Sequence, residues 1–77
     1  MNQAISDFMI HVDDSLSGSD MASLADALGG NACVCGACVS ESASHLIMVS
    51  YDSDCAQAHE LVDQIRARGI RAEAIGW

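Results

Sequence analysis

HLIMVSYD, residues 45–52, is the strongest β-strand pattern in this chain, because branched apolar side chains are concentrated in a short run. The preceding ESAS (41–44) predicts a turn. Before it, ACVCGACVS (32–40) predicts another strand, with Gly36 marking a bulge. These two strands therefore form a predicted antiparallel hairpin near the middle of the chain.

Further elements extend outward from the hairpin in both directions. DFMIHV (7–12) alternates apolar positions with period two and predicts a strand with one buried face. MASLADALGG (21–30) and SDCAQAHELVDQIRARG (53–69) predict helices that stop at glycine, and IRAEAIGW (70–77) predicts a short last strand. This order predicts one α+β domain over residues 1–77, a ferredoxin-like βαββαβ sandwich whose antiparallel four-stranded sheet carries both helices on one face.

The charge of the chain excludes several classes of partner. Eleven acidic and three basic residues give a net charge of −8, whereas binding to nucleic acid or to an anionic membrane needs clustered positive charge. No basic segment followed by an apolar one resembles a signal peptide, and no apolar run approaches the roughly 20 residues of a membrane span. We therefore expect a cytoplasmic protein, in which the four cysteines are thiols or metal ligands rather than disulfides.

The C-terminal half carries a family resemblance. VSYDSD (49–54) and ELVDQIRARGIRAEAIG (60–76) resemble the end of the third strand, the second helix and the last strand of heavy-metal-associated domains. In the other half, the positions where that family places its first-strand valine and its helix core are occupied by Val12, Leu24 and Leu28. The resemblance covers nearly the whole chain and implies the same ferredoxin-like fold and a role in handling soft metal ions.

The chain departs from that family at the loop entering the first helix. Metal-carrying members have C-x-x-C there, whereas this chain has Ser17 and Asp20 within SLSGSD (15–20). Soft metals prefer thiolates, which a hydroxyl and a carboxylate do not replace. Both residues instead suit the start of a helix, so the family's transfer activity does not carry over through this loop.

A different set of cysteines offers soft ligands. The antiparallel hairpin brings Cys33 and Cys35 toward the end of the third strand, where Cys55 and His59 follow, and Cys38 lies further along the second strand. We expect Cu(I) or Zn²⁺ to bind chiefly Cys35 and Cys38, then Cys33 and Cys55, with His59 as the last candidate. The leading hypothesis is a small soft-metal binding or metallochaperone-like protein.

The register of the second strand decides whether these thiols are accessible. One register turns Cys35 and Cys38 toward the helices, where cysteine serves as a small core residue. The other buries Val34, Ala37 and Val39 and turns the two cysteines outward. A slip of one residue exchanges the two faces of a strand, and the sequence leaves both registers open.

Catalytic chemistry is not indicated. CGAC (35–38) has the spacing of thiol–disulfide enzymes, but those enzymes place the first cysteine at a helix N-terminus, and this stretch reads as a strand. Cys55 is the thiol nearest to a predicted helix start. No Ser/His/Asp arrangement, phosphate-binding glycine loop or catalytic carboxylate pair is recognisable, so we do not expect an enzyme.

An alternative hypothesis is a metal-free interaction module. Met9, Leu46 and Met48 fall on the predicted uncovered face of the sheet, and an apolar patch there favours a homodimer or a protein partner. His11 shares that face as a surface histidine. With Met9 and Met48 it is a further candidate for copper, although methionines at this spacing more often serve packing. DDSLSGSD (13–20) lacks the ligand spacing of a calcium loop and is interpreted as a solvated loop.

Overall fold

The computed structural model describes residues 4–75 and contains four strands and two helices. The strands are β1 (Ile5–Val12), β2 (Val34–Val39), β3 (Leu46–Asp52) and β4 (Ala72–Ile75), and the helices are α1 (Gly18–Gly29) and α2 (Ala58–Arg66). Neither helix is long and apolar enough to cross a membrane.

The strands form one sheet in the order β2-β3-β1-β4, and each neighbouring pair is antiparallel. The chain follows the order βαββαβ, and β1 lies between β3 and β4 in the sheet. Strands from the two halves of the chain therefore alternate across the middle of the sheet. The prediction of an α+β, ferredoxin-like sandwich is confirmed. One sheet face is covered by the helices, and residues 4–75 leave the other face uncovered.

Alternation along the strands separates the two faces. In β1, Phe8, Ile10 and Val12 are buried, while Met9 and His11 between them are only half-buried on the uncovered face. Apolar residues of both helices complete the core, as expected from their helical spacing. The largest fully buried side chains of the core are Ile10, Met21, Leu28, Ile47, Leu61 and Ile65.

The loop before α1 is a helix cap. Ser17 is the N-cap residue, and its hydroxyl accepts a hydrogen bond from the backbone N–H of Asp20 at 3.1 Å. The cap satisfies one of the amide groups that a helix start leaves unpaired. The interpretation of Ser17 and Asp20 as helix-start residues is therefore confirmed.

The second helix starts later than predicted. α2 begins at Ala58 rather than near residue 53, and Cys55 lies in a preceding turn. The carbonyl of Asp52 accepts the backbone N–H groups of Cys55 at 3.0 Å and Ala56 at 3.1 Å, and its carboxylate accepts the N–H of Asp54 at 2.9 Å. These bonds hold the segment in a turn at the end of β3, so Cys55 is not a helical residue.

Candidate functional site: the uncovered face of the sheet

A β-bulge at Cys35 sets the orientation of β2. Val34 pairs with Tyr51 and Gly36 pairs with Ser50, so Cys35 is an extra residue between two consecutive positions of β3. A bulge of this kind shifts the alternation of the strand by one position.

The shift selects the register that turns the cysteines outward. Val34 is buried, and Ala37 and Val39 pack against the core, whereas Cys35 and Cys38 are exposed free thiols. The register in which both cysteines fill the core is therefore wrong. The thiols that the sequence ranked first as ligands are accessible from solvent.

Cys38 lies at one end of a line of sulfur-containing side chains that crosses three strands. It pairs with Met48 of β3, which in turn pairs with Met9 of β1, and Met9 pairs with Ile75 of β4. Directly opposed residues in a sheet have Cβ atoms roughly 5 Å apart. We call Cys38, Met48 and Met9 the sulfur row.

The sulfur row lines an open concavity on the uncovered face. The concavity has a volume of about 670 Å³ and includes all three members of the row, with Asp7 and Ser50 at one side. Met48 is 49% exposed, so its thioether is not committed to the core. The site therefore offers one thiol and two thioethers to a ligand arriving from solvent.

Cys35 is less well placed to share an ion with Cys38. Residues three positions apart on a strand are separated by at most roughly 10 Å along its axis, about twice the separation of a cross-strand pair. Cys35 and Cys38 lie on an extended strand. Their C-x-x-C spacing therefore does not bring the two thiols together as the same spacing does in a loop that enters a helix. Met48 is the residue directly opposite Cys38 on the neighbouring strand.

Cys33 and Cys55 are joined by a disulfide, with their Cα atoms 5.4 Å apart. The prediction that Cys33 and Cys55 lie close together is confirmed, but the prediction that they are free thiols is wrong. Cys33 precedes β2, and its carbonyl accepts the N–H of Asp52 at 2.8 Å, while the turn at Asp52 returns Cys55 to the same end of the sheet. A disulfide carries no thiolate, so in this form the two residues do not act as ligands.

His59 lies on α2, outside the concavity that contains Cys38. It is exposed on α2, beside a shallow hollow of about 300 Å³ that Gln57 and Arg66 also line. Among residues 4–75, it belongs to no set of three metal-ligating side chains with ligand atoms within 4.8 Å. Its role as the last candidate ligand therefore gains no support from its position.

The sequence reasoning missed the combination of Cys38 with the two methionines. It placed Met9 and Met48 on the uncovered face, which the exposure of Met48 and the partial burial of Met9 match. It left the face of Cys38 open, because only the bulge decides it. The glycine at position 36 was the one signal for that bulge.

No protein-family model matches the chain, and no curated protein matches it. Membership of the heavy-metal-associated family therefore stays a prediction, based on the residues of the second helix and the strands on either side of it.

Proposed function

We propose that this protein binds Cu(I) at the sulfur row and acts as a small soft-metal carrier. Cys38 supplies the anionic ligand, and the thioethers of Met48 and Met9 complete the coordination. The observation that carries the proposal is the cross-strand pairing of Cys38 with Met48 and of Met48 with Met9 on an uncovered, concave face. The resemblance to heavy-metal-associated domains supports the same chemistry at a different place in the fold.

The ligand set favours Cu(I) over Zn²⁺. Thiolate and thioether ligands are soft and select Cu(I), whereas zinc sites in proteins are usually completed by four nitrogen or sulfur ligands without thioethers. The row offers a single thiolate, because Cys38 is its only cysteine and the other free thiol, Cys35, does not line the concavity. One thiolate balances the charge of one Cu(I), so the three ligands and the ion together carry no net charge.

Exposure of the row suits transfer rather than storage. The concavity is open to solvent, and Met48 is half-exposed, so the thiols of a second protein can reach a bound ion without unfolding the carrier. A metallochaperone must let its partner's ligands reach the bound ion. The uncovered face would therefore also be the surface that contacts the partner.

The test is a Cu(I) competition titration. The protein, with its disulfide intact and in anaerobic buffer without thiol reductant, is titrated against the Cu(I)–bicinchoninate complex, and native mass spectrometry gives the stoichiometry. We expect one Cu(I) per chain. Cys38→Ser and Met48→Leu should each weaken binding by at least about tenfold, equivalent to about 1.4 kcal/mol.

Two matched variants act as controls. Cys35→Ser removes the other free thiol, and Met21→Leu removes a thioether from the core, with little change in apolar volume in the latter case. Both are expected to bind Cu(I) like the parent protein. Unchanged binding by the Cys38→Ser variant would exclude the sulfur row as the site.

A second candidate function is a protein-interaction module. The two large hydrophobic residues with the greatest exposure among residues 4–75 are Ile5 at 45% and Met48 at 49%, and alternation along β1 and β3 places both on the uncovered face. Such a face is suited to a homodimer. Sedimentation equilibrium of metal-free protein tests this, since Met48→Glu should convert a dimer to a monomer and would leave a monomeric parent unchanged.

A further inference from the structure

Three side chains of different types converge where β1 leaves the sheet. His11, Asp13 and Glu73 each offer a ligand atom, and these atoms all lie within 4.8 Å of one another. None of the three belongs to the sulfur row, and the sequence suggested His11 only as a copper ligand beside Met9 and Met48, not together with Asp13 and Glu73. The three side chains come together because β1, near the start of the chain, pairs with β4, near its end.

The fold builds this group from one strand pair and its extension. His11 lies directly opposite Glu73 in the antiparallel pairing of β1 with β4. Asp13 follows β1 and stays attached to the other strand, because its backbone N–H donates to the carbonyl of Arg71 at 2.8 Å. The Nδ1 atom of His11 lies 2.7 Å from Oδ1 of Asp13.

The two carboxylates form no ion pair with the arginines that line the same hollow. Arg71 is directed to Asp14, at 3.7 Å between Nε and Oδ1, and Arg66 pairs with an acidic neighbour on its own helix. Within the described chain, Asp13 has only the His11 imidazole as an ion-pair partner, and Glu73 has none. A divalent cation would relieve this excess negative charge in a chain that already carries −8.

We propose that His11, Asp13 and Glu73 form a binding site for a divalent ion of the zinc class, separate from the sulfur row. The metal takes the place of the proton shared by the imidazole and the carboxylate of Asp13. Ligand atoms around a tetrahedral ion with bonds of about 2.0–2.2 Å lie roughly 3.4 Å apart. The present separations therefore need only small side-chain rotations.

The donor types distinguish zinc from harder cations. Imidazole together with carboxylates suits Zn²⁺, while Ca²⁺ requires six to eight oxygen ligands. His45 lies just outside the set, with its ring centroid 6.4 Å from that of His11. The fourth coordination position is therefore left to solvent, and the site has three protein ligands.

The test removes free thiols first, so that only nitrogen and oxygen ligands remain. The background is the double variant Cys35→Ser/Cys38→Ser with the Cys33–Cys55 disulfide intact. Isothermal titration with Zn²⁺ should show one saturable site per chain. Adding His11→Gln or Glu73→Gln should weaken binding by at least about tenfold, and His59→Gln, which changes an exposed histidine on α2, should leave it unchanged.

NMR of the imidazole protons gives an independent measurement. Zn²⁺ should shift the His11 ring signals and leave those of His59 in place. The proposal is overturned if no saturable binding occurs, or if the His11→Gln and Glu73→Gln variants bind Zn²⁺ as the background does. Because the background lacks Cys38, failure here would leave the Cu(I) proposal standing, and failure of the Cu(I) test would leave this one standing.

Discussion

Gly69 lies in the turn that follows α2, in a backbone conformation that other residues rarely adopt, with φ of 81°. A Cβ in the left-handed region costs about 1–2 kcal/mol. We therefore expect Gly69→Ala to lower the free energy of unfolding by about 1 kcal/mol, measured by urea unfolding followed by circular dichroism. The site has open space around it, so the loss comes from the backbone rather than from a clash.

Gly29 provides the matched control for that substitution. It is the last residue of α1, its φ is not positive, and a Cβ there would meet no atom within 4 Å. Gly29→Ala should leave stability unchanged or raise it by about 0.5 kcal/mol, since alanine favours helix. Equal losses in the two variants would contradict the explanation from backbone conformation.

For single residues, the proposed zinc-class site shows which positions could be predicted from the sequence and which could not. His11 could be placed on the uncovered face from the alternation of β1. Glu73 could not be placed opposite it, because the register of β1 against β4 depends on contacts between residues about 60 positions apart. A site shared by two distant strands is therefore visible only once that register is known.

At the scale of elements, β2 illustrates the same limit. The existence of all four strands and both helices follows from apolar periodicity and glycine positions, and the structure agrees within a few residues at most ends. The face of Cys38 does not follow, because a single extra residue at Cys35 reverses the alternation. The start of α2 was also missed, since the hydrogen bonds of Asp52 compete with the helix.

The N-terminus of α1 offers a test of the family resemblance. The resemblance predicts that Ser17 and Asp20 take the positions of the family's C-x-x-C, and the Ser17 hydroxyl accepts a hydrogen bond from the Asp20 backbone N–H at 3.1 Å. We expect Ser17→Cys/Asp20→Cys to add one Cu(I) site per chain, because two thiolates one helical turn apart suit this ion. Native mass spectrometry in a Cys35→Ser/Cys38→Ser background counts the added ion.

A control separates a restored site from the mere addition of thiols. Ser53→Cys/Asp54→Cys places two new thiols at exposed positions in the turn after β3, next to each other rather than three residues apart. Ser17→Cys/Asp20→Cys should hold Cu(I) against bicinchoninate more tightly than this control. Equal retention by the two variants would count against placing the family's metal loop at residues 17–20.

At the scale of the whole molecule, the disulfide connects the start of β2 to the turn before α2. It joins residues 22 positions apart, and closing a loop of that length contributes about 3 kcal/mol on the chain-entropy model. A domain of this size has a small core and limited stability. Cys33→Ala/Cys55→Ala should therefore lower the free energy of unfolding by about 3 kcal/mol in urea.

The exposed cysteines give the comparison that makes this prediction specific. Cys35→Ala/Cys38→Ala removes two thiols that lie outside the core, so it should change stability by less than about 0.5 kcal/mol. Alkylation under native conditions should modify two thiols per chain in the parent protein, and all four only after reduction. If all four react without a reductant, or if the two double variants unfold at the same urea concentration, the disulfide does not stabilise the contact between the start of β2 and the turn before α2.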